Sequence, residues 1–105
     1  MIKVTYYVGT CDKDTCKRKL LYCQFIKCFD ELFTNYTLQK VQGVYTMQDS
    51  GTVVKEDTFI VTAFIDDCTE TTLRQYVQNN CSILKNKLNQ ESILVEVYRP
   101  EVMFL

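Results

Sequence analysis

Residues 36–65 read YTLQKVQGVYTMQDSGTVVKEDTFIVTAFI. Two β-branched and aromatic arms, 36–47 and 52–65, flank Gln48-Asp49-Ser50-Gly51. Asp and Ser side chains bond their own backbone and Gly tolerates a positive φ, so this is a turn and the arms form a hairpin. The second arm alternates, with Phe59, Val61, Ala63 and Ile65 on one face and Thr58, Ile60, Thr62 and Phe64 on the other.

On the N-terminal side, Tyr22, Phe25, Ile26, Phe29, Leu32 and Phe33 recur at the i, i+3, i+4, i+7 spacing of one helical stripe. The pattern predicts a helix over 16–34 with Asp14 or Thr15 as its N-cap. Before it, Ile2, Val4, Tyr6 and Val8 alternate with Lys3, Thr5 and Tyr7, a half-buried strand over 2–9. On the C-terminal side, Asp66-Asp67-Cys68-Thr69-Glu70 opens a second helix, Asp67 and Glu70 having capping-box spacing. Leu73, Val77, Leu84 and Leu88 make its stripe, flanked by Tyr76 and Cys81. Ile93, Val95 and Val97 mark a last strand, which Arg99-Pro100 stops.

The order β-α-β-β-α-β fills nearly all of the 105 residues and predicts one domain, 1–105. The fold class is α+β: a ferredoxin-like sandwich, a four-stranded antiparallel sheet of order 4-1-3-2 with both helices on one face. Val4, Tyr6, Val8, Phe59, Val61, Ala63, Ile65 and Val95 then point toward the helices. Lys3, Thr5, Tyr7, Ile60, Thr62, Phe64, Leu94, Glu96 and Tyr98, with Val44, lie on the uncovered face.

Charge and length exclude several functions. The net charge is −1, and generic nucleic-acid binding needs a basic footprint. Tyr7 and Phe64 could stack bases, but the basic-aromatic string of an RNA-recognition strand is missing, and Asp57-Thr58-Phe59-Ile60-Val61 stands in its place. No apolar run approaches the ~18 residues of a membrane span. MIKVTYYVG lacks a signal peptide's apolar core, so a cytoplasmic location is expected.

Six cysteines accompany no histidine. Cys11, Cys16, Cys23 and Cys28 follow C-x4-C-x6-C-x4-C. On one helix, Cys16 and Cys23 would be about 10.5 Å apart along the axis, and Cys23 and Cys28 would point about 140° apart. A disulfide needs Cα atoms within roughly 7 Å, so only Cys11–Cys16 could close, and a reducing compartment opposes it. Structural zinc favours tighter pairs, and thiol catalysis usually recruits a histidine base. The cysteines read as small soft side chains, and no metal or cofactor is expected.

There is no Gly-rich phosphate loop, no G-x-S-x-G and no catalytic set. Glu56, Asp57, Glu96, Asp66 and Asp67 read as solvated or capping carboxylates, and the loop Asp12-Lys13-Asp14 as solvated rather than as a cation site.

Gly43-Val44-Tyr45, then Gly51-Thr52-Val53-Val54-Lys55-Glu56, a strand, a helix, and Gln90-Glu91-Ser92-Ile93-Leu94 occur in that order. This stretch, Gly43 to Val95, resembles a family of small, largely uncharacterised bacterial and phage domains of ferredoxin-like type. The resemblance implies the fold and no established activity. It also implies that Glu56, Gln90, Glu91 and Ser92 match the family's polar motif and form a small polar cluster at one end of the sheet.

The uncovered face and the tail carry the functional expectation. Tyr7, Ile60, Phe64, Leu94, Tyr98, Met103 and Phe104 form an apolar surface of the kind that marks an interface. The sequence predicts a small cytosolic protein-binding module, a homodimer or the partner of another protein, of the sort carried by a phage or mobile element. The alternative is a small-ligand-binding protein or enzyme of the dimeric ferredoxin-like type. It would hold a pocket of roughly 300 Å³ between sheet and helices, with Tyr6, Tyr22, Tyr45 and Tyr76 as its phenols.

Overall fold

The computed structural model describes residues 1–15 and 17–105. The chain runs β1 (Ile2–Gly9), α1 (Tyr22–Leu32), β2 (Thr37–Thr46), β3 (Val53–Ile65), α2 (Glu70–Leu88) and β4 (Leu94–Tyr98). The strands form one antiparallel sheet of order β2-β3-β1-β4, the expected order read from the other edge. The β2–β3 turn closes where the sequence places it. The Met47 N–H donates to Thr52 O, the Gly51 N–H donates to Met47 O, and Gly51 takes the positive φ of 70° that few other residues adopt.

Both helices cover one face of the sheet. Val4, Tyr6, Val8, Phe59, Val61 and Ala63 meet Phe25, Cys28, Phe29, Phe33, Leu73, Leu84 and Leu88 there, with Ile65 and Val95 packed at the margin. Phe59 is the hub, its ring centroid 5.2 Å from that of Phe25, 5.4 Å from Tyr22 and 5.7 Å from Phe29. One polar pair sits in this core: the Asn80 side-chain amide donates to the Tyr6 hydroxyl at 3.0 Å, satisfying a phenol that would otherwise be buried bare.

The helix starts differ from expectation. The first helix begins at Tyr22, not at 16. Its entry is made by Leu21, whose N–H donates to the Gln24 side-chain oxygen. Asp14 and Thr15 do not cap it. The Asp14 carboxylate accepts from the Asn89 side-chain amide and the Thr15 hydroxyl accepts from the Lys17 N–H, so both are engaged away from the helix start. In α2 the N-cap is Thr69, whose hydroxyl accepts from the Thr72 N–H at 3.2 Å, two residues beyond the predicted Asp67. Phe33, placed in the helical stripe, is an extended C-cap residue that still buries its ring against Tyr6, centroids 5.2 Å apart. Val44 pairs with Lys55 in the register, so it lies on the face opposite Glu56 and not on the uncovered one.

Burial pushes the Tyr6 phenol far above the usual tyrosine value, with the Asn80 bond opposing the shift. Burial and then the bond to Asp30 push Tyr36 up to about 12. In the unfolded chain both ionise near 10, so their contribution to stability is complete below pH ~10 and is lost as pH rises toward 12. The urea midpoint should therefore fall across that window, and Tyr6→Phe should make the fall shallower. The same substitution, by stranding the Asn80 amide, should lower stability by about 1–3 kcal/mol at pH 7.

Candidate functional site

Strand lengths create the site. β1 pairs with β3 only from Ile2↔Ile65 to Gly9↔Thr58, whereas β2 follows β3 back to Val53. On the β1 side, the edge of β3 preceding Thr58 has no strand to pair with, and buried backbone groups must find partners. The chain leaving β1 supplies them. The Thr10 N–H and hydroxyl both donate to Asp57 O, at 3.2 and 2.9 Å, and the Cys11 N–H donates to Glu56 Oε2.

Glu56 is thereby a buried carboxylate, 7% exposed, rather than the solvated one expected. Glycine makes room for it. A Cβ on Gly9 would overlap the Glu56 carboxylate, coming within 2.8 Å of its Cδ, and a Cβ on Gly43 would overlap the Thr58 hydroxyl. The register sets Gly9 opposite Thr58 and Gly43 opposite Glu56. On the face away from the helices, the space left by the missing side chain of Gly9 is filled by the Glu56 carboxylate and that at Gly43 by the Thr58 hydroxyl, a close-packed cradle with an acidic wall.

The loop that roofs this end is held from below by α2. Asn89 ends the helix in the left-handed region, φ 48°. Its side-chain amide donates to the Asp12 carboxylate at 2.6 Å and to Asp14 at 3.1 Å, and its carbonyl accepts from the Lys13 N–H. These bonds, the Asn89 amide first, hold the Asp12 carboxyl below the usual range, so Asp12 is a structural anchor and not a solvated loop residue. Gln90, 6% exposed, donates from Nε2 to Cys11 O at 2.9 Å and to Leu88 O at 3.1 Å. Of the predicted polar cluster, Glu56 and Gln90 are brought to either side of Cys11, each bonded to its backbone and not to each other. Glu91 and Ser92 are exposed and make no part of it. Gly9 and Asn89 were missed, although a glycine at a strand end and an asparagine after the last helical leucine are the signals for a close approach and a left-handed cap.

Further along the same face, Tyr7 and Tyr98 both donate to the Glu96 carboxylate, and the Lys3 ammonium lies 5.7 Å from the centre of the Tyr98 ring. The two phenols hold Glu96 below the usual carboxylate range, and the carboxylate in turn raises both phenols. Tyr7 precedes Gly9 by two residues on the same face of β1, and its hydroxyl reaches toward β4. Of the apolar residues on this face, Ile60 is half-buried, and Phe64 and Leu94 are exposed. The tail does not fold over them: Met103 and Phe104 are 68% and 88% exposed.

Between α2 and β4 there is a groove of about 330 Å³, floored by Leu73, Val77, Val95 and Val97 and rimmed by Glu70, Arg74, Gln78 and Arg99. Its volume matches the expectation for a sheet–helix pocket, but the four phenols do not converge on it, and Arg99 and Glu70 pair with each other across its rim. Among the described residues no group of three or more His, Cys, Asp or Glu side chains is placed to hold a metal ion, and no helix is long and apolar enough to cross a membrane. Burial raises the thiols of Cys28 and Cys81, which lowers their reactivity. Cys16, and with it the Cys11–Cys16 pairing, lies outside the described residues.

The architecture is a ferredoxin-like α+β sandwich. No protein-family model matches the chain, and no curated protein does. Among solved structures, it is similar to a phage SAM lyase in complex with S-methyl-5′-thioadenosine, with TM-score 0.72 and 20% identity over 92% of this chain and 79% of that one. The apo state of a phage SAM lyase superposes with TM-score 0.70 and 17% identity, covering 92% and 78%. These neighbours overturn the expectation of a protein-binding module. The structures that share the fold over nearly the whole chain are those of an enzyme with a small bound ligand, which favours the alternative.

The cradle makes a testable claim about Gly9. Gly9→Ala should displace the Glu56 carboxylate and lower stability by about 1–3 kcal/mol in chemical denaturation. In a Glu56→Ala background, where the overlap is gone, the same substitution should be close to neutral.

Proposed function

We propose that this protein binds a nucleoside sulfonium of the S-adenosylmethionine type in the Gly9–Glu56 cradle and cleaves it to S-methyl-5′-thioadenosine. The observation that carries the reading is a nearly buried carboxylate, packed against Gly9, on a fold shared along its length with a SAM lyase.

The chemistry constrains what Glu56 does. Release of S-methyl-5′-thioadenosine requires the bond between sulfur and the aminobutyryl carbon to break, with its electron pair going to sulfur, while the arm's own carboxylate attacks that carbon and closes a lactone, so that one bond forms as one breaks. The positive charge on sulfur therefore disappears during the reaction. A carboxylate set against the sulfur would favour the substrate over the transition state and slow the step. Glu56 is better matched to the group that keeps its charge, the α-ammonium of the aminobutyryl arm. A buried carboxylate is costly unless it is paired with a cation, and the ammonium supplies one. Fixing that arm orients its carbon for bond breaking without opposing the charge lost at sulfur. The sulfur itself lies best over the apolar part of the face, where loss of charge is favoured. Tyr7 and Tyr98, carried beside Glu96 on the same face, offer ring surfaces to the adenine. The phage origin of the structural neighbours supports the same setting for this chain.

The test is direct. Purified protein incubated with S-adenosylmethionine should release S-methyl-5′-thioadenosine, followed by chromatography, well above a protein-free control. Glu56→Gln, which keeps an acceptor for the Cys11 N–H, should lower kcat/KM on the order of 10²-fold, the usual penalty for removing one partner of a buried charge pair. Binding of S-methyl-5′-thioadenosine, which lacks the ammonium, should change less than about threefold by calorimetry. Product formation no faster than the control, with no heat on titrating S-methyl-5′-thioadenosine, sinks the proposal.

A further inference from the structure

Two residues on either side of Cys11 are tied down, and this gives a distant glutamine control over Glu56. Thr10 is bonded to Asp57 of β3, and Asp12 to Asn89 at the end of α2. Between them, Cys11 presents its N–H to Glu56 and its carbonyl to Gln90. With planar peptides, φ and ψ of Cys11 are its only soft backbone torsions. Because Thr10 and Asp12 are both held, these two torsions cannot change independently, so the bond from Gln90 at the carbonyl also constrains the N–H that Glu56 accepts from.

We infer that Gln90 is a positioning residue for Glu56: it sets the backbone of Cys11, and the Cys11 N–H sets the carboxylate. Gln90 is placed to do this. It follows the left-handed Asn89 cap, its own N–H returns to Lys85 O at 3.1 Å, and its second side-chain bond, to Leu88 O, locks the amide in orientation. Buried at this junction, it ties the end of α2 to the acidic wall of the cradle on the other side of the sheet. The inference rests on the proposed role of Glu56 for its kinetic consequence, and on geometry alone for its structural one.

Two measurements test it, and they fail separately. In the first, Gln90→Met should lower kcat/KM for S-adenosylmethionine cleavage about tenfold, within the range that small misplacements produce. In a Glu56→Gln background it should change the residual rate by less than about twofold, because contacting residues that act as one unit are not additive. A further tenfold loss in that background means Gln90 acts elsewhere and overturns the inference. Gln90→Asn, too short to reach both carbonyls but still polar, should behave like Gln90→Met and keeps the test open if the methionine variant folds poorly. The second measurement needs no activity. In 15N-labelled protein, the Cys11 amide resonance should move upfield in either variant by more than those of Thr10 and Asp12. An unmoved Cys11 amide overturns the inference whether or not the protein cleaves the sulfonium. A moved amide with no cleavage by the wild-type chain supports the positioning and refutes the proposed reaction.

Discussion

The fold depends on Phe59 being pinned from both sides and from above. It lies opposite Val8 in β1 and Lys40 in β2, in one of the two strands that are paired along both edges. Its ring is fully buried under α1, against Phe25, Phe29 and Tyr22. A slip of one residue in β3 would turn Phe59 to the open face and bring Ile60 under the helices, so burial of this ring fixes the register of three strands together. Once that register is set, Gly9 must stand opposite Thr58 and Gly43 opposite Glu56, and the cradle follows as a consequence.

The same constraint explains why the polar chemistry collects at one end. β3 outruns β1, and the unsatisfied edge has to be met by backbone and side chains from the following loop. The Glu56 carboxylate can lie beside β1 and meet that loop because Gly9 carries no side chain, and Asn89 and Gln90 grip the loop from the end of α2. The tyrosines and Glu96 form a second polar row on the same face, satisfied within itself.

Much of the architecture was legible. The alternation at 2–9 and 58–65, the Asp-Ser-Gly turn and the leucine stripe of α2 each report a local period, and each element formed where its period lay. The misreadings share one cause. Residues 16–21 continue a helix-compatible pattern, and Asp14 and Thr15 are good caps by type, yet helix α1 waits until Tyr22. The preceding loop gains more from bonds to Asp57, Asn89 and Lys17 than from a further helical turn. Asp67 likewise has capping-box spacing but yields to Thr69. The cysteines, conspicuous in the sequence, mark no site among the described residues, while Gly9, which looked unremarkable, governs one.

The sequence by itself determined which faces are apolar, where the chain turns, and hence the succession of elements, because these follow from periods of two and 3.6 residues and from turn chemistry; the strand order was the usual one for that succession. Only the tertiary structure decided that Glu56 is buried, that Cys11 lies between it and Gln90, and that Asn80 meets Tyr6. Those pairs are 45, 79 and 74 residues apart. No local period carries such information. It arises when strand register and the unequal lengths of β1 and β3 bring distant residues to one edge and burial then requires every polar group there to find a partner.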